Sequence, residues 1–310
     1  CGFDSGFTPL LISFLITSIA GTFPLIFVKE NHQQVTPQEG FITIVLSWLL
    51  SFIFGMLPYV LWGGEFTLMN AWFESVSGYT TTGSTILNDI EALPKSLLFW
   101  RSSTHFIGGL GVVVFLLLVL PQANPYRMKL TNMEMSSLSK DGYRYKSSKV
   151  LKIIVSVYLG FVVATFLSLW AAGMSAFDAI NHAFSIAATG GFSTKNMSLA
   201  YYDSDLINGI VMFFMAICAM HFGLIYSVIV TRSLKPMNNA VVKYYFGSIL
   251  VCSAIVAVSL MTQGGYTSWG RAAMDSAFTV ISYMSTAGFA ICDNAMWPAL
   301  AGIVLIFVSF

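Results

Sequence analysis

The amino-acid sequence predicts an all-α integral membrane protein in which pairs of spanning helices enclose a short helix and an irregular loop. Three observations carry this expectation. Hydrophobic residues fill 56% of the 310 positions and charged ones only 9%, with a mean hydropathy of +0.75, a balance that no water-soluble domain could bury. Apolar runs near the ~20 residues needed to cross a ~30 Å hydrocarbon core recur along the whole chain. Three shorter, more polar segments lie between those runs, and each meets a Thr/Gly cluster.

In order, the spanning runs fall at about 9–28, 41–62, 97–120, 150–172, 206–230 and 244–262, with a last one entering at about 296. The short segments fall at about 66–90, 175–200 and 270–293, each opening with two or three turns of modestly apolar helical pattern. The expected organisation is an extra N-terminal transmembrane helix in 1–40 and a first helix–loop–helix unit in 41–121. A loop with a second unit follows in 122–232, and a third in 233–310.

Charge sets the orientation. The connections 29–40, 121–152 and 231–243 hold 11 basic residues against four acidic ones, so the positive-inside rule turns them to the cytoplasm. The opposite side carries Lys95, Arg101, Lys195 and Arg271 but ten acids: Asp4, Glu65, Glu74, Asp89, Glu91, Asp178, Asp203, Asp205, Asp275 and Asp293. All three short segments then lie outside. An outer vestibule of negative sign concentrates cations and disfavours an anion pathway.

The short segments superpose without a gap. With AFDAINHAFSIAATGGFST at 176–194 as reference, a shift of 108 back or 97 forward aligns the other two copies. The matching columns are Asn70, Asp178 and Asp275; Ser77, Ser185 and Ser282; Thr81, Thr189 and Thr286; and Gly83, Gly191 and Gly288. Irregular backbone at membrane depth persists only where protein or a water-filled path satisfies its polar groups. Glycine supplies unusual φ values, threonine adds a hydroxyl, and a ring of carbonyl oxygens replaces the water of a hard monovalent cation.

GYTTTGST (78–85), ATGGFST (188–194), STAGF (285–289) and WRSSTHFIGGLGVVVF (100–115) resemble the TrkH/KtrB family of bacterial potassium uptake proteins, and the TrkH branch in particular. The resemblance implies four helix–pore loop–helix units around a pseudo-fourfold pore, preceded by extra helices. Three units are visible here, so the fourth is expected beyond Phe310. It also implies a K⁺ selectivity filter at Thr81, Thr82 and Gly83, at Thr189, Gly190 and Gly191, and at Thr286, Ala287 and Gly288. Gly83 stands where Na⁺-passing members often carry Ser, which favours K⁺. Location in the bacterial cytoplasmic membrane, a homodimer and a cytosolic nucleotide-binding regulatory subunit of the TrkA/KtrA kind are further implications. The polar, basic loop at 121–152 is the expected docking surface. K⁺ enters as the transported ion; no cofactor, nucleic-acid partner or enzymatic activity is expected. The alternatives are a Na⁺- or H⁺-coupled carrier and, with no nucleophile–base pair or HExxH motif in its favour, an intramembrane enzyme.

Other residues read as structural. Cys1, Cys218, Cys252 and Cys292 lie too far apart for a zinc or disulfide framework. Arg101, beside Trp100, is expected to snorkel or hydrogen-bond at the outer interface. Gly108, Gly109 and Gly111 form a face for close helix packing. His105, His182 and His221 read as hydrogen-bonded structural histidines, and Asn70, Asp178 and Asp275 as helix caps.

Overall fold

Long helices alternate with helices too short to cross a bilayer in the computed structural model, which describes residues 4–28, 37–119, 147–220 and 222–309. The helices are α1 (Phe7–Phe27), α2 (Pro37–Trp62), α3 (Leu68–Tyr79), α4 (Lys95–Val119), α5 (Ser147–Ala171), α6 (Ala176–Ala187), α7 (Asp205–Cys218), α8 (Phe222–Thr231), α9 (Ala240–Gln263), α10 (Trp269–Met284) and α11 (Ala299–Ser309). Among the described residues no strand occurs. Phe7–Phe27, Gln38–Trp62, Ile154–Ala171 and Ala240–Gln263 are each long and apolar enough to span. At 1.5 Å per residue, the 12 residues of α3 and of α6 reach only about 18 Å and the 16 of α10 about 24 Å, short of a ~30 Å core.

The chain divides into two compact units, 1–152 and 153–310. In the first, α2 packs on α1, α3 and α4, and α4 closes over α3. Tyr59, Ala71 and Leu97 are fully buried there, and the Tyr59 ring lies 4.8 Å from that of Phe66. Asp4 tethers the N-terminal segment by accepting the Ser96 N–H at 2.9 Å, at the start of α4. Most of α1 faces outward, with only Pro9 and Ser13 buried; such a helix is solvated by lipid.

In the second unit α9 packs against α10 and α11, α10 also touches α7, and α6 lies on α7. One apolar core joins Leu169, Ile186, Leu199, Val211, Met215 and Phe278 to Ala287 and Phe289. A second joins Val256, Leu260, Ala272, Val280, Ala301 and Leu305. Cys218, Cys252 and Cys292 are free thiols.

Three sequence expectations need correction. The run at 206–230 is not one helix. Met220 N–H turns back to Ile217 O, three residues away, which ends the i→i−4 ladder of α7, and α7 and α8 are bent by 103°. The caps of the first two short helices are Thr67 and Ser175, which accept the N–H groups of Asn70 and Asp178. Asn70 and Asp178 sit three residues further in, where the Asn70 amide reaches back to Glu65 O and Asp178 accepts the Ser175 hydroxyl, close to a capping box. Asp275 caps nothing, because α10 starts at Trp269, earlier than the repeat suggests, and leaves this residue inside the helix. The expected docking loop over 121–146, with His221, lies outside the described residues.

Candidate functional site: three Thr-x-Gly turns

Each short helix ends in the same hydrogen-bonded turn. The N–H groups of Thr81, Thr189 and Thr286 bond the carbonyls of Gly78, Ile186 and Tyr283 at 3.0–3.1 Å. Those of Thr82, Gly190 and Ala287 reach back five residues to Ser77, Ser185 and Ser282 at 2.8–3.0 Å. These paired bonds define the Schellman C-cap, whose left-handed residue is ordinarily glycine or asparagine. Here that residue is threonine in every copy, with φ of 55° at Thr81, 52° at Thr189 and 56° at Thr286. Two residues on, Gly83, Gly191 and Gly288 take φ of 77°, 85° and 72°.

A β-branched residue in the left-handed region costs on the order of 1–3 kcal/mol and persists only where its surroundings over-determine it. Three occurrences at one column mark that backbone shape as under demand. Thr286→Gly is therefore expected to stabilise the protein by about 1 kcal/mol, measured as a higher Tm in detergent. A lower Tm would show that the hydroxyl bond from Thr286 to Ser285 O, at 2.7 Å, outweighs the relieved strain.

Side chains on each short helix hold the loop from behind. Ser77 donates to Ser84 O at 2.5 Å and Ser282 to Phe289 O at 2.7 Å, closing the loop seven residues on; Ser185, in the same column, is fully buried. In the first unit the Glu74 carboxylate accepts the Thr85 hydroxyl at 3.0 Å and the Ile86 N–H at 3.3 Å. Arg101 Nε reaches the same carboxylate at 2.7 Å, with both side chains essentially inaccessible to solvent. Gly108 of α4 lets that helix lie directly on the Tyr79 carbonyl; any Cβ there would collide with it. Gly108 is thus a packing contact against the approach to the first turn.

In the second unit His182 bridges its helix to the loop. A carbonyl only accepts, so Nδ1 donates to Asp178 O at 2.8 Å, and Nε2 of the neutral ring accepts from Ser193 Oγ at 2.9 Å. Asp178 also accepts the Thr194 hydroxyl at 2.6 Å. Burial pushes the Asp178 carboxyl up, but the hydroxyls of Thr194 and Ser175 and the nearby Lys195 charge outweigh it and hold the group below the usual carboxylate range.

The second and third turns meet. Gly191 lies so close to the Ala287 carbonyl that a Cβ at Gly191 would overlap it. Leu199 and Ala200 both donate to Ala290 O, at 3.1 and 3.2 Å, and Ala290 donates to Ser198 Oγ. Thr189, Gly190 and Gly191 are thereby assembled with Thr286, Ala287 and Gly288 inside one unit. Thr81, Thr82 and Gly83 form the equivalent turn of the other unit. Among the described residues no cluster of three His, Cys, Asp or Glu side chains could hold a metal; the oxygens concentrated here are carbonyls and threonine hydroxyls, donors suited to hard cations.

Three charged groups depart from the sequence expectation in whole or in part. Of the two roles expected for Arg101 the hydrogen-bonding one holds, but in the interior and not by snorkelling: the residue is 1% exposed and paired with Glu74. Glu74 and Asp275 are not vestibule acids, since both are buried in ion pairs, Asp275 with Arg271 Nε at 3.1 Å and with the Tyr266 hydroxyl at 2.9 Å. The alignment, in which Glu74 shares a column with His182 and Thr85 with Ser193, could have found the Glu74–Thr85 contact but carries no signal for Arg101.

Comparison with known proteins identifies the family. A family model described as TrkH, cation transport protein, matches residues 8–248. The Trk system potassium uptake protein TrkH of Escherichia coli strain K12 is 34% identical over 289 residues, 91% of this chain and 59% of the relative. TrkG of the same strain is 33% identical, with 96% and 62% covered. The crystal structure of the potassium transporter TrkH from Vibrio parahaemolyticus superposes with a TM-score of 0.85 at 27% identity, covering 99% of this chain and 63% of that one. The chain spans about three fifths of the length of the relatives it matches. With a family model matched over most of its residues and a fold shared with a solved member, this chain belongs to the TrkH family of cation transport proteins.

Proposed function

We propose that this chain translocates K⁺ across the bacterial cytoplasmic membrane, with dehydrated ions passing backbone carbonyls and threonine hydroxyls of the Thr-x-Gly turns. The observation that carries this reading is the shared left-handed Thr and Gly backbone at Thr81/Gly83, Thr189/Gly191 and Thr286/Gly288. Carbonyl cages are a solution for selective conduction of alkali cations, and strained backbone recurring at one column is the mark of a functional constraint. In this reading the turns are pore loops on the outer side, three of four copies around a pseudo-fourfold axis, and the filter residues are Thr81–Gly83, Thr189–Gly191 and Thr286–Gly288. Glycine at position 83 supports K⁺ over Na⁺. The protein acts as a homodimer with a cytosolic nucleotide-binding regulatory subunit docked from the cytoplasmic side.

Uptake of ⁸⁶Rb⁺ by a host lacking its own potassium uptake, and by proteoliposomes of the whole protein, tests the proposal. Uptake that K⁺ competes away and Na⁺ does not is the expected result. Dependence on an imposed Na⁺ or H⁺ gradient would replace channel-like conduction with a coupled carrier, and absence of uptake would overturn the assignment.

A further inference from the structure

Behind the first two turns the same job is done by different chemistry. Glu74 and His182 occupy one column of the repeat, Thr85 and Ser193 another, and in each unit the former holds the hydroxyl of the latter at about 3 Å. The hydroxyl residue stands two positions past the turn glycine, Gly83 or Gly191. The third copy has Thr279 and Ala290 in these columns, and Ala290 lacks a hydroxyl. Its loop is fastened instead by the buried Ala287 and Phe289 and by the Leu199 and Ala200 bonds to Ala290 O.

We propose that Glu74 and His182 are positioning residues for ion selectivity, struts from the short helices that set the exit of the first and second turns through Thr85 and Ser193. This rests on the reading of those turns as the ion filter. The carboxylate of Glu74 holds the first exit at two points, the Thr85 hydroxyl and the Ile86 N–H, so its position is transmitted to the backbone just beyond Gly83. A charged carboxylate is admissible at full burial because Arg101 neutralises it at 2.7 Å. Arg101 thereby locks the strut to α4. His182 needs no counter-ion, since a neutral ring with Nδ1 on Asp178 O presents Nε2 as the acceptor. The two struts differ in charge but agree in function, each accepting a hydrogen bond from the hydroxyl of a residue that the loop places eleven positions later.

Thr85→Val and Ser193→Ala test this while leaving the ion pair and the imidazole in place. In proteoliposomes of the whole protein, each is expected to lower the Rb⁺-over-Na⁺ uptake ratio by about tenfold, the scale of a lost charge-assisted bond for Thr85, with normal membrane insertion. Thr85→Ser restores the hydroxyl and should recover the ratio, which a merely structural packing role would not reproduce. Glu74→Gln is the complementary variant, expected to change the ratio more than the maximal rate. An unchanged ratio in Thr85→Val and Ser193→Ala, with wild-type Rb⁺ uptake intact, would overturn the strut assignment alone. Failure of the wild type to take up Rb⁺ would overturn the filter reading beneath it.

Discussion

Gly191→Val is expected to abolish Rb⁺ uptake, leaving the protein inserted and folded enough to be purified. Two independent penalties fall on one atom. The residue holds φ of 85°, a conformation glycine reaches freely and a β-branched side chain does not. A Cβ would also overlap the Ala287 carbonyl, a backbone atom of the neighbouring turn that no rotamer change can move aside. Relief requires the second and third turns to separate, and geometric misplacement of oxygen ligands is what a cation cage tolerates least. Stability should fall by only a few kcal/mol, because the core beneath, around Ile186, Leu199 and Met215, is untouched. Gly288→Val provides the contrast: its φ of 72° carries the backbone penalty, but nothing lies within 4 Å of an added Cβ. The smaller loss of uptake is expected there. Equal and complete uptake by both variants would remove Gly191 from the pathway.

Arg101→Met is expected to be the most destabilising single change in the first unit. It strands the Glu74 carboxylate, 0% exposed, without its cation, and breaking a buried pair by removing one partner costs about 3–5 kcal/mol. The effect is read as a large drop in Tm in detergent. Glu74→Met combined with Arg101→Met should regain most of that stability, since an apolar pair of similar volume often replaces a buried ion pair without loss. The double variant nevertheless lacks the acceptor for Thr85 and Ile86, so regained stability should not bring back the wild-type Rb⁺-over-Na⁺ ratio. Full recovery of both would make the ion pair a folding element only.

Much of this was legible in the residues. Spanning helices announce themselves because lipid demands apolar side chains over a fixed length, and α1, α2, α5 and α9 stand close to the runs expected from hydropathy. The Thr and Gly columns were legible because a backbone conformation that few residues tolerate leaves a narrow set of side chains at fixed spacing. The left-handed φ at Thr81, Thr189 and Thr286 was not, since threonine is a poor advertisement for it. The Glu74–Arg101 pair spans 27 positions and two helices; whether such charges meet depends on how each helix is rotated about its axis, which hydropathy does not encode. The caps were misassigned by one turn because Asn, Asp, Ser and Thr compete for the same N–H groups. Only the fold shows that Thr67 and Ser175 win. The break after Cys218 was hidden by apolar residues on both sides of it.

Crystals of the whole protein grown or soaked in Rb⁺, with diffraction recorded at the rubidium absorption edge, test most directly whether main-chain oxygens of these turns replace ion hydration. The account predicts anomalous peaks within coordination distance of the carbonyls in Thr81–Gly83, Thr189–Gly191 and Thr286–Gly288. Rb⁺ density lying elsewhere, with these nine residues bare at concentrations that saturate uptake, would contradict it.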